Sequence, residues 1–150
     1  MTSRSEVEIR PFRRRDLARV REIEDASFPR DPYPNEFFLD LFENCGRLFF
    51  IAKHSGRIAG YVVTCTGKRD AEIVSIAVDP LHRGAGVGKA LMRHTLAIVK
   101  RAGIERVLLM VRVKNAAAIG FYGGFGFRRT GRVSGYYGRG GDALRMQKKL

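Results

Sequence analysis

The sequence predicts an α+β fold, and three observations support this prediction. Short runs of apolar and β-branched residues recur between turn residues, as strands do. Longer stretches place apolar residues three or four positions apart, as amphipathic helices do. Along the chain, a run of strands is followed by strand–helix–strand–helix and then by a closing hairpin, which is an α+β order.

The first predicted elements are a strand, a helix, a proline-rich loop and a second helix. Residues 7–10 alternate between apolar and charged side chains, which predicts a strand. Asp16 is a candidate helix N-cap. Apolar residues follow it at helical spacing, namely Leu17, Val20, Ile23 and Phe28. Three prolines predict a rigid loop over residues 28–35, and residues 37–42 predict a second short helix.

Three strands and the clearest helix come next. Residues 48–52 and 58–66 flank a turn and predict a hairpin, and residues 71–78 predict another strand. Residues 86–102 place apolar and basic side chains on opposite faces, which indicates an amphipathic helix. Gly103 follows this helix as a natural C-cap.

The C-terminal part predicts a strand, a helix and a final hairpin. Residues 107–113 are strongly apolar, residues 116–125 form a helix ended by glycines, and residues 128–150 hold two strands around a Gly-rich turn. The prediction is therefore about seven strands and about four helices. Because 150 residues suit one core better than two, we expect a single domain over residues 1–150.

The composition is typical of a globular protein, with 45% hydrophobic and 29% charged residues. No apolar run reaches the roughly 18 residues that a membrane helix needs, so no membrane partner is expected. Residues 1–15 are polar and basic and lack the apolar segment of a signal peptide, which predicts a cytoplasmic location. We expect a monomer or a weak dimer.

Cysteine and histidine show no pattern that is typical of a metal site. Cys45 and Cys65 have neither metal-ligand spacing nor a disulfide framework, so we expect two buried or half-buried thiols. The three histidines are scattered, with no carboxylate at metal-site spacing. We therefore expect no metal.

The net charge is strongly positive. Twenty-eight Lys and Arg residues against fifteen Asp and Glu residues give +13. Such an excess favours an anionic partner, namely nucleic acid, a ribosome, a membrane surface or a phosphorylated cofactor. The basic residues are spread over the whole chain with few aromatic residues between them, so nucleic acid is not expected as a substrate.

A glycine-rich loop is the strongest candidate binding site. It connects the strand that ends at Val78 to the helix that begins near Gly86. Glycines let a ligand approach the backbone, and the first N–H groups of a helix lack an intrahelical partner, so the loop suits a pyrophosphate. Arg83 and Lys89 add positive charge. The glycine spacing fits neither a Walker loop nor a dinucleotide fingerprint.

The motif Arg83-x-x-Gly86-x-Gly88 resembles the phosphate-binding motif of the GNAT superfamily of N-acetyltransferases. Residues 75–80 resemble the central strand of that family, and residues 115–127 resemble its next motif. The order and spacing match from about residue 6 to the C-terminus. The resemblance implies a mixed, mostly antiparallel central sheet of about seven strands flanked by about four helices, with acetyl-CoA as the co-substrate.

Within the superfamily, the chain is similar to the N-terminal (Nα) acetyltransferases, and most of all to the ribosomal-protein-alanine enzymes and their archaeal relatives. Residues 111–119 carry this likeness, together with Tyr136-Tyr137 ahead of residues 141–146. The resemblance implies acetylation of the α-amine of a protein N-terminus, with ribosomal proteins among the candidate partners. A small amine, a polyamine or a lysine side chain is the alternative acceptor. A non-catalytic CoA-binding regulatory protein is a further hypothesis.

The resemblance places the cofactor on three segments of the chain. The backbone of Ile76, Ala77 and Val78 is expected to pair with the pantetheine arm, with the Val78 N–H near the thioester carbonyl. Asn115 is expected near the pantetheine, and it is equally a candidate N-cap of the following helix. The pyrophosphate is expected on the backbone N–H groups of Arg83, Gly84, Ala85, Gly86, Val87, Gly88 and Lys89.

Tyr122 matches the general acid of the family, which protonates the departing thiolate. It lies seven residues after Asn115, on the same helix face two turns along, and a core aromatic residue is the alternative. Close relatives carry a glutamate base where this chain has Met110, which cannot accept a proton. Glu72 is the substitute base, acting through an ordered water that Ser75 helps to hold. An exposed structural carboxylate is the alternative for Glu72.

Two aromatic segments are expected to line the acceptor pocket. The loop that matches the substrate-gating loop of the Nα-acetyltransferases contributes Phe28, Pro29 and Tyr33. Some relatives have glutamate near Arg30 or Asp31, and the alignment there is ambiguous by one residue. The closing hairpin contributes Tyr136 and Tyr137, for which packing between strands is the alternative.

Overall fold

The computed structural model describes residues 6–29 and 33–150, and it confirms the α+β fold. The strands in this part of the chain are β1 (Val7–Pro11), β2 (Phe49–His54), β3 (Arg57–Thr66), β4 (Asp70–Val78), β5 (Arg106–Arg112), β6 (Arg128–Val133) and β7 (Ala143–Lys149). The α-helices are α1 (Leu17–Ser27), α2 (Asn35–Cys45), α3 (Val87–Arg101) and α4 (Ala116–Gly124).

The seven strands form one sheet in the order β1-β2-β3-β4-β5-β7-β6. Neighbouring strands are antiparallel except β4 and β5, which run parallel. The pairing of β4 with β5 extends only from Asp70↔Arg106 to Ile73↔Leu109, although both strands continue further. The two strands therefore separate toward their C-terminal ends and open the sheet near its centre.

Helices cover both faces of the sheet, and each face has its own core. On one face, α1 and α2 pack on the sheet around large aromatic residues such as Phe38, Phe49 and Tyr61. On the other face, α3 and α4 pack around aliphatic residues such as Leu91 and Met92. Burial of the apolar side of each amphipathic helix is what attaches it to the sheet.

A β-bulge in β4 changes which side chains face each layer. Val63 of β3 pairs with Ser75 and Thr64 pairs with Ile73, so Val74 is an extra residue in β4. Ile73 packs in the α3 layer, whereas Ser75 hydrogen-bonds to α1. Because side chains alternate with a period of two, Ile73 and Ser75 would share one face without the bulge. The bulge therefore turns Ser75 toward α1 just beyond the point where β5 leaves β4.

The prediction for Asp16 is right in position and wrong in the bond, because the residue stands at the N-cap of α1 but its side chain does not cap that helix. Its buried carboxylate accepts hydrogen bonds from the Arg13 N–H at 2.8 Å and from the Arg10 guanidinium at 2.8 and 2.9 Å. It closes the one-turn 3₁₀ segment before α1 and makes no cap bond to α1 itself. The sequence could not show this, because Arg10 approaches Asp16 only when β1 lies beside the turn.

The two cysteines form a disulfide, so the prediction of two thiols is also wrong. Cys45 ends α2 and Cys65 lies in β3, 20 residues further along the chain. The packing of α2 on β3 brings their Cα atoms to 5.1 Å, which is within the range that a disulfide spans. Two isolated cysteines contain no pairing pattern, and only this packing brings them together.

We expect the disulfide to contribute about 3 kcal/mol to the free energy of unfolding, because it closes a loop of 20 residues and so reduces the conformational entropy of the unfolded chain. Urea unfolding with and without a reductant measures this contribution. Cys45→Ser and Cys65→Ser should lower the stability equally, and the double variant should lower it no further, since each substitution removes the same bond. An unfolding midpoint that does not respond to the reductant would contradict the prediction.

Candidate active site

A cleft of about 1980 Å³ occupies the gap where β4 and β5 separate. Its volume exceeds that of a typical small-molecule pocket, about 300–1,000 Å³, so it can hold an extended ligand. Every residue that the sequence predicted for the site lines this cleft: Phe28, Pro29, Tyr33, Glu72, Ile76, Ala77, Val78, Arg83, Gly84, Ala85, Gly86, Val87, Gly88, Lys89, Asn115, Tyr122, Tyr136 and Tyr137. The predicted cofactor segments and acceptor segments therefore share one cavity.

The free edge of β4 offers backbone groups to the cleft. The Asp79 N–H donates to the carbonyl oxygen of Ala59 at 2.7 Å, toward β3. Successive residues of a strand direct their N–H groups to opposite edges, so those of Val78 and Ile76 point to the side that β5 has left. An extended ligand can pair with this edge as an added strand would.

The glycine-rich loop presents backbone N–H groups at the start of α3. Gly84 and Gly86 have φ values of +84° and +82°, in the left-handed region that favours glycine. α3 begins at Val87, and the Ala90 N–H donates to the carbonyl oxygen of Gly86 at 3.0 Å. The N–H groups of residues 87–89 therefore precede the helical hydrogen-bond ladder and lie at the positive end of the helix dipole, where an anion binds.

An ion pair with α1 holds the start of this loop. The Asp79 carboxylate accepts a hydrogen bond from the Leu81 N–H at 2.9 Å and pairs with Arg19. Both hydrogen bonds lower the pKa of Asp79, and the bond from Leu81 contributes more than the bond from Arg19. The carboxylate is therefore ionised at neutral pH. Arg83 is exposed on the loop and Lys89 in the first turn of α3, where their positive charges favour a phosphorylated ligand.

Asn115 caps the helix that forms the opposite wall. Its Oδ1 accepts a hydrogen bond from the Ala118 N–H at 3.1 Å, which confirms the N-cap prediction. The cap uses the oxygen of the side-chain amide and not its NH₂ group. Because Asn115 also lines the cleft, the NH₂ group can donate to a ligand while the cap is intact.

Tyr122 combines core packing with a position on the cleft wall. Its ring centroid lies 5.5 Å from that of Phe121 and 5.9 Å from that of Phe127, and the residue lines the cleft. Burial raises the pKa of Tyr122 far above that of a free phenol. The hydroxyl therefore stays protonated at neutral pH and can donate a proton or a hydrogen bond.

Glu72 lies at the end of the cleft that holds the aromatic residues. It is exposed on β4, just before the bulge, and its charge acts on both Tyr33 and Tyr136. Burial, reinforced by neighbouring acidic groups that include Glu72, raises the pKa of Tyr33 to about 12. Met110 lines the cleft from β5 and has no titratable group. Glu72 is thus a carboxylate of the central strand that lies near the predicted acceptor residues.

One aromatic wall comes from the segment between α1 and α2. It contains Phe28, Pro29 and Tyr33, all of which line the cleft. The Tyr33 ring stacks on Phe37 of α2 with their centroids 4.1 Å apart. Residues 30–32, which include Arg30 and Asp31, lie outside the described residues.

The other aromatic wall comes from the loop between β6 and β7. Tyr136 and Tyr137 lie in this loop and not in a strand, with their ring centroids 4.9 Å apart. The Arg112 guanidinium lies over the Tyr137 ring at 4.4 Å, a cation–π contact. The alternative of packing between strands is therefore wrong for the two tyrosines.

Glu24 is a residue of the cleft that sequence reasoning missed. It is 1% exposed, yet it lines the cleft from α1. The available signal was an acidic residue on the apolar face of a predicted helix, since Glu24 lies one turn after Val20 and next to Ile23, both of which are buried.

His54 and His82 also line the cleft, with their Nδ1 atoms 2.8 Å apart.

Two further properties concern residues 6–29 and 33–150 alone. In these ranges, no group of three or more His, Cys, Asp or Glu side chains is arranged to hold a metal ion. In the same ranges, no helix combines the length and apolar character that crossing a bilayer requires.

The open β4 edge, the glycine-rich turn into α3 and the tyrosine of α4 form the arrangement expected of an N-acetyltransferase that takes its acetyl group from acetyl-CoA. The chain belongs to the acetyltransferase (GNAT) family, whose model matches residues 17–127. This membership confirms the enzyme class predicted from the sequence, and acetyl-CoA, the predicted co-substrate, is the typical donor of the family.

Named relatives lie within the branch of the family that the sequence indicated. The chain is 34% identical to a putative ribosomal protein bS18-alanine N-acetyltransferase of Bacillus subtilis, over 92% of each protein. It is 32% identical to an N-alpha-acetyltransferase of Sulfolobus acidocaldarius, over 90% of this chain and 88% of the relative. The crystal structure of Ard1 from Thermoplasma volcanium superposes with a TM-score of 0.92 at 30% identity, over 96% of this chain and 97% of that one.

Proposed function

We propose that this N-acetyltransferase acts on the free α-amine of protein N-termini. The observation that carries the proposal is the acceptor end of the cleft, where the segment before α2 and the β6–β7 loop approach Glu72 beside the gap in the sheet. Tyr136 is 46% exposed, so this end of the cleft reaches the surface. It therefore suits the end of a chain whose remainder stays outside.

The names of two relatives support the same acceptor. The Bacillus subtilis protein is named for an alanine of ribosomal protein bS18, and the Sulfolobus acidocaldarius protein is named for Nα-acetylation. Ribosomal proteins are accordingly the first candidate substrates for this chain. The net charge of +13 agrees with encounters in an anionic environment such as that of a ribosome.

Each part of the cleft has a defined task in this mechanism. Acetyl-CoA supplies the acetyl group in activated form, as a thioester. The loop of residues 83–89 binds the pyrophosphate, and the backbone edge of residues 76–78 orients the extended arm. The Val78 N–H stabilises the negative charge that develops on the acetyl oxygen. Tyr122 donates its proton to the departing sulfur.

Glu72 accepts, through an ordered water, the proton that the attacking amine loses. The demand on this base is small, because a peptide α-amine has a pKa of about 8, against about 10.4 for a lysine side chain. A sizeable fraction of an α-amine is therefore already nucleophilic near neutral pH. A water-mediated carboxylate suffices for such an acceptor, whereas lysine would need stronger help.

We expect Glu72→Gln to lower kcat by about tenfold to a hundredfold, because an amide cannot assist proton removal through the ordered water. Steady-state kinetics at neutral pH with a saturating peptide measure kcat for the variant and for wild type. An unchanged kcat would leave Glu72 as an exposed carboxylate without a catalytic task.

A CoA-release assay with a panel of short peptides tests the proposed acceptor. The peptides differ in their first two residues, and one of them begins with alanine. Each peptide is tested with a free and with a blocked α-amine, and spermidine is tested as a separate substrate. Turnover that requires a free α-amine supports the proposal. Turnover on spermidine, or on blocked peptides that contain lysine, would overturn it in favour of a side-chain or small-amine acceptor. Binding of acetyl-CoA without any turnover would indicate a non-catalytic protein.

A further inference from the structure

Glu24 is a buried carboxylate to which the mechanism above gives no task. It lies in the last turns of α1, is 1% exposed, and lines the cleft on the side of the acceptor residues. Burying a carboxylate is costly unless hydrogen bonds compensate for the lost water. The partners of Glu24 therefore indicate what its burial is used for.

Three donors from three different segments converge on this carboxylate. Oε1 accepts hydrogen bonds from the Tyr61 hydroxyl of β3 and from the Ser75 hydroxyl of β4, the latter at 3.2 Å. The two hydroxyl groups are also 3.1 Å from each other. Oε2 accepts a hydrogen bond from the backbone N–H of Tyr33, at 2.9 Å. Desolvation raises the pKa of Glu24, and these three hydrogen bonds oppose that rise.

The network connects the acceptor wall to the central strand. Tyr33 belongs to the aromatic wall before α2, and Ser75 directly follows the bulge of β4. One residue further, at Ile76, begins the backbone edge that faces the gap. A single carboxylate thus bonds at the same time to the wall that contacts the acceptor and to the strand that orients the donor. Charge-assisted hydrogen bonds in a buried setting are well suited to hold such a geometry.

We propose that Glu24 is the positioning residue of the acceptor pocket, which holds Tyr33 at a set place relative to Ser75 and the open edge of β4. This inference rests on the proposed function only for the identity of the acceptor. Glu24 acts through Tyr33 and Ser75, and it makes no bond to the glycine-rich loop in the part of the chain that the structure describes. Substitution of Glu24 should therefore weaken the binding of the acceptor and leave the binding of acetyl-CoA unchanged.

Glu24→Gln tests the proposal, because it should change the KM of the peptide acceptor and leave the KM of acetyl-CoA unchanged. The amide keeps the shape of the side chain but loses its charge and one acceptor oxygen. We expect the KM of a peptide acceptor to rise about tenfold, with kcat and the KM of acetyl-CoA within about twofold of wild type. Asp25→Asn is the matched control, because it removes the same charge from the next residue, whose side chain is 50% exposed. A fall in kcat at unchanged peptide KM, or an equal rise of both KM values, would overturn the proposal.

Hydrogen exchange at Tyr33 gives a readout that does not depend on activity. Glu24→Gln should accelerate exchange of the Tyr33 amide about tenfold, and Asp25→Asn should not. Tyr61→Phe removes a donor to Oε1 and keeps the Tyr33 bond, so it should raise the peptide KM less and leave that amide protected. If no peptide is acetylated, the proposed function fails, while the exchange rates still decide whether Glu24 holds Tyr33. Equal exchange in wild type and Glu24→Gln would overturn the positioning role.

Discussion

Tyr122→Phe is expected to lower kcat by about 100-fold or more and to leave the affinity for acetyl-CoA within about threefold of wild type. A hundredfold loss corresponds to about 2.7 kcal/mol of transition-state stabilisation. The substitution removes only the hydroxyl that protonates the departing sulfur. The ring keeps its packing against Phe121 and Phe127, so the fold and the cofactor segments should be unaffected.

Stopped-flow or steady-state CoA release gives kcat for this variant, and calorimetric titration gives the affinity for acetyl-CoA. The melting temperature of the variant serves as the control for packing. Burial raises the pKa of Tyr122, so the wild-type phenol keeps its proton through the neutral range and to higher pH than a free phenol does. The wild-type kcat profile should therefore show no loss of activity from deprotonation of Tyr122 below pH of about 10. A parallel loss of affinity for acetyl-CoA would assign Tyr122 to cofactor binding instead.

Gly86→Val is expected to raise the dissociation constant of acetyl-CoA by about 100-fold. Gly86 has a φ of +82° directly before α3, and a β-branched residue is strained in that conformation. Relief of the strain requires a different φ, which rotates the peptide groups that lead into the helix. The N–H groups that converge on the pyrophosphate then no longer share one direction, and the anion site is lost.

Ala85→Val is the matched control for this variant. It places the same side chain in the same loop, at a residue that does not have a positive φ. A Cβ atom at Gly86 would meet no atom within 4 Å, so the cost of Gly86→Val arises from its backbone conformation and not from a clash at Cβ. Calorimetric titration with CoA and acetyl-CoA should show weak binding for Gly86→Val and nearly unchanged binding for Ala85→Val. Equal weakening in both variants would indicate steric bulk rather than backbone conformation as the cause.

Local signals in the sequence predicted the elements and the cofactor loop. The helix predicted for residues 86–102 is α3, and Gly103 follows it with a φ of +86° as a C-cap glycine does. The strand predicted for residues 71–78 is β4 with one added residue. Both succeeded because helical periodicity, apolar runs and glycine each depend on neighbours along the chain. Helix α2 is longer than the predicted residues 37–42, since propensity alone marks helix ends poorly.

Other features depend on residues that are distant along the chain. Arg19 and Asp79 form their ion pair across 60 residues, and Glu24 meets Ser75 across 51 residues. The bulge at Val74 is similarly hidden, because residues 73–78 are mostly apolar without a regular alternation and only the pairing with β3 reveals the extra residue. Periodic patterns of two or 3.6 residues describe neighbours within one strand or helix, so they do not predict contacts between distant segments.

What the sequence determined by itself is the set of helices and strands, the phosphate-binding turn and the membership of the GNAT family, all of which follow from short-range patterns. Only the tertiary structure decided that β5 leaves β4 after Ile73, that Cys45 reaches Cys65, and that Glu24 is buried against Ser75. The physical reason is that these contacts arise when helices and strands pack to bury apolar surface. Which polar groups meet in that packing is set by the register of the sheet and the placement of the helices, and a linear pattern does not specify either.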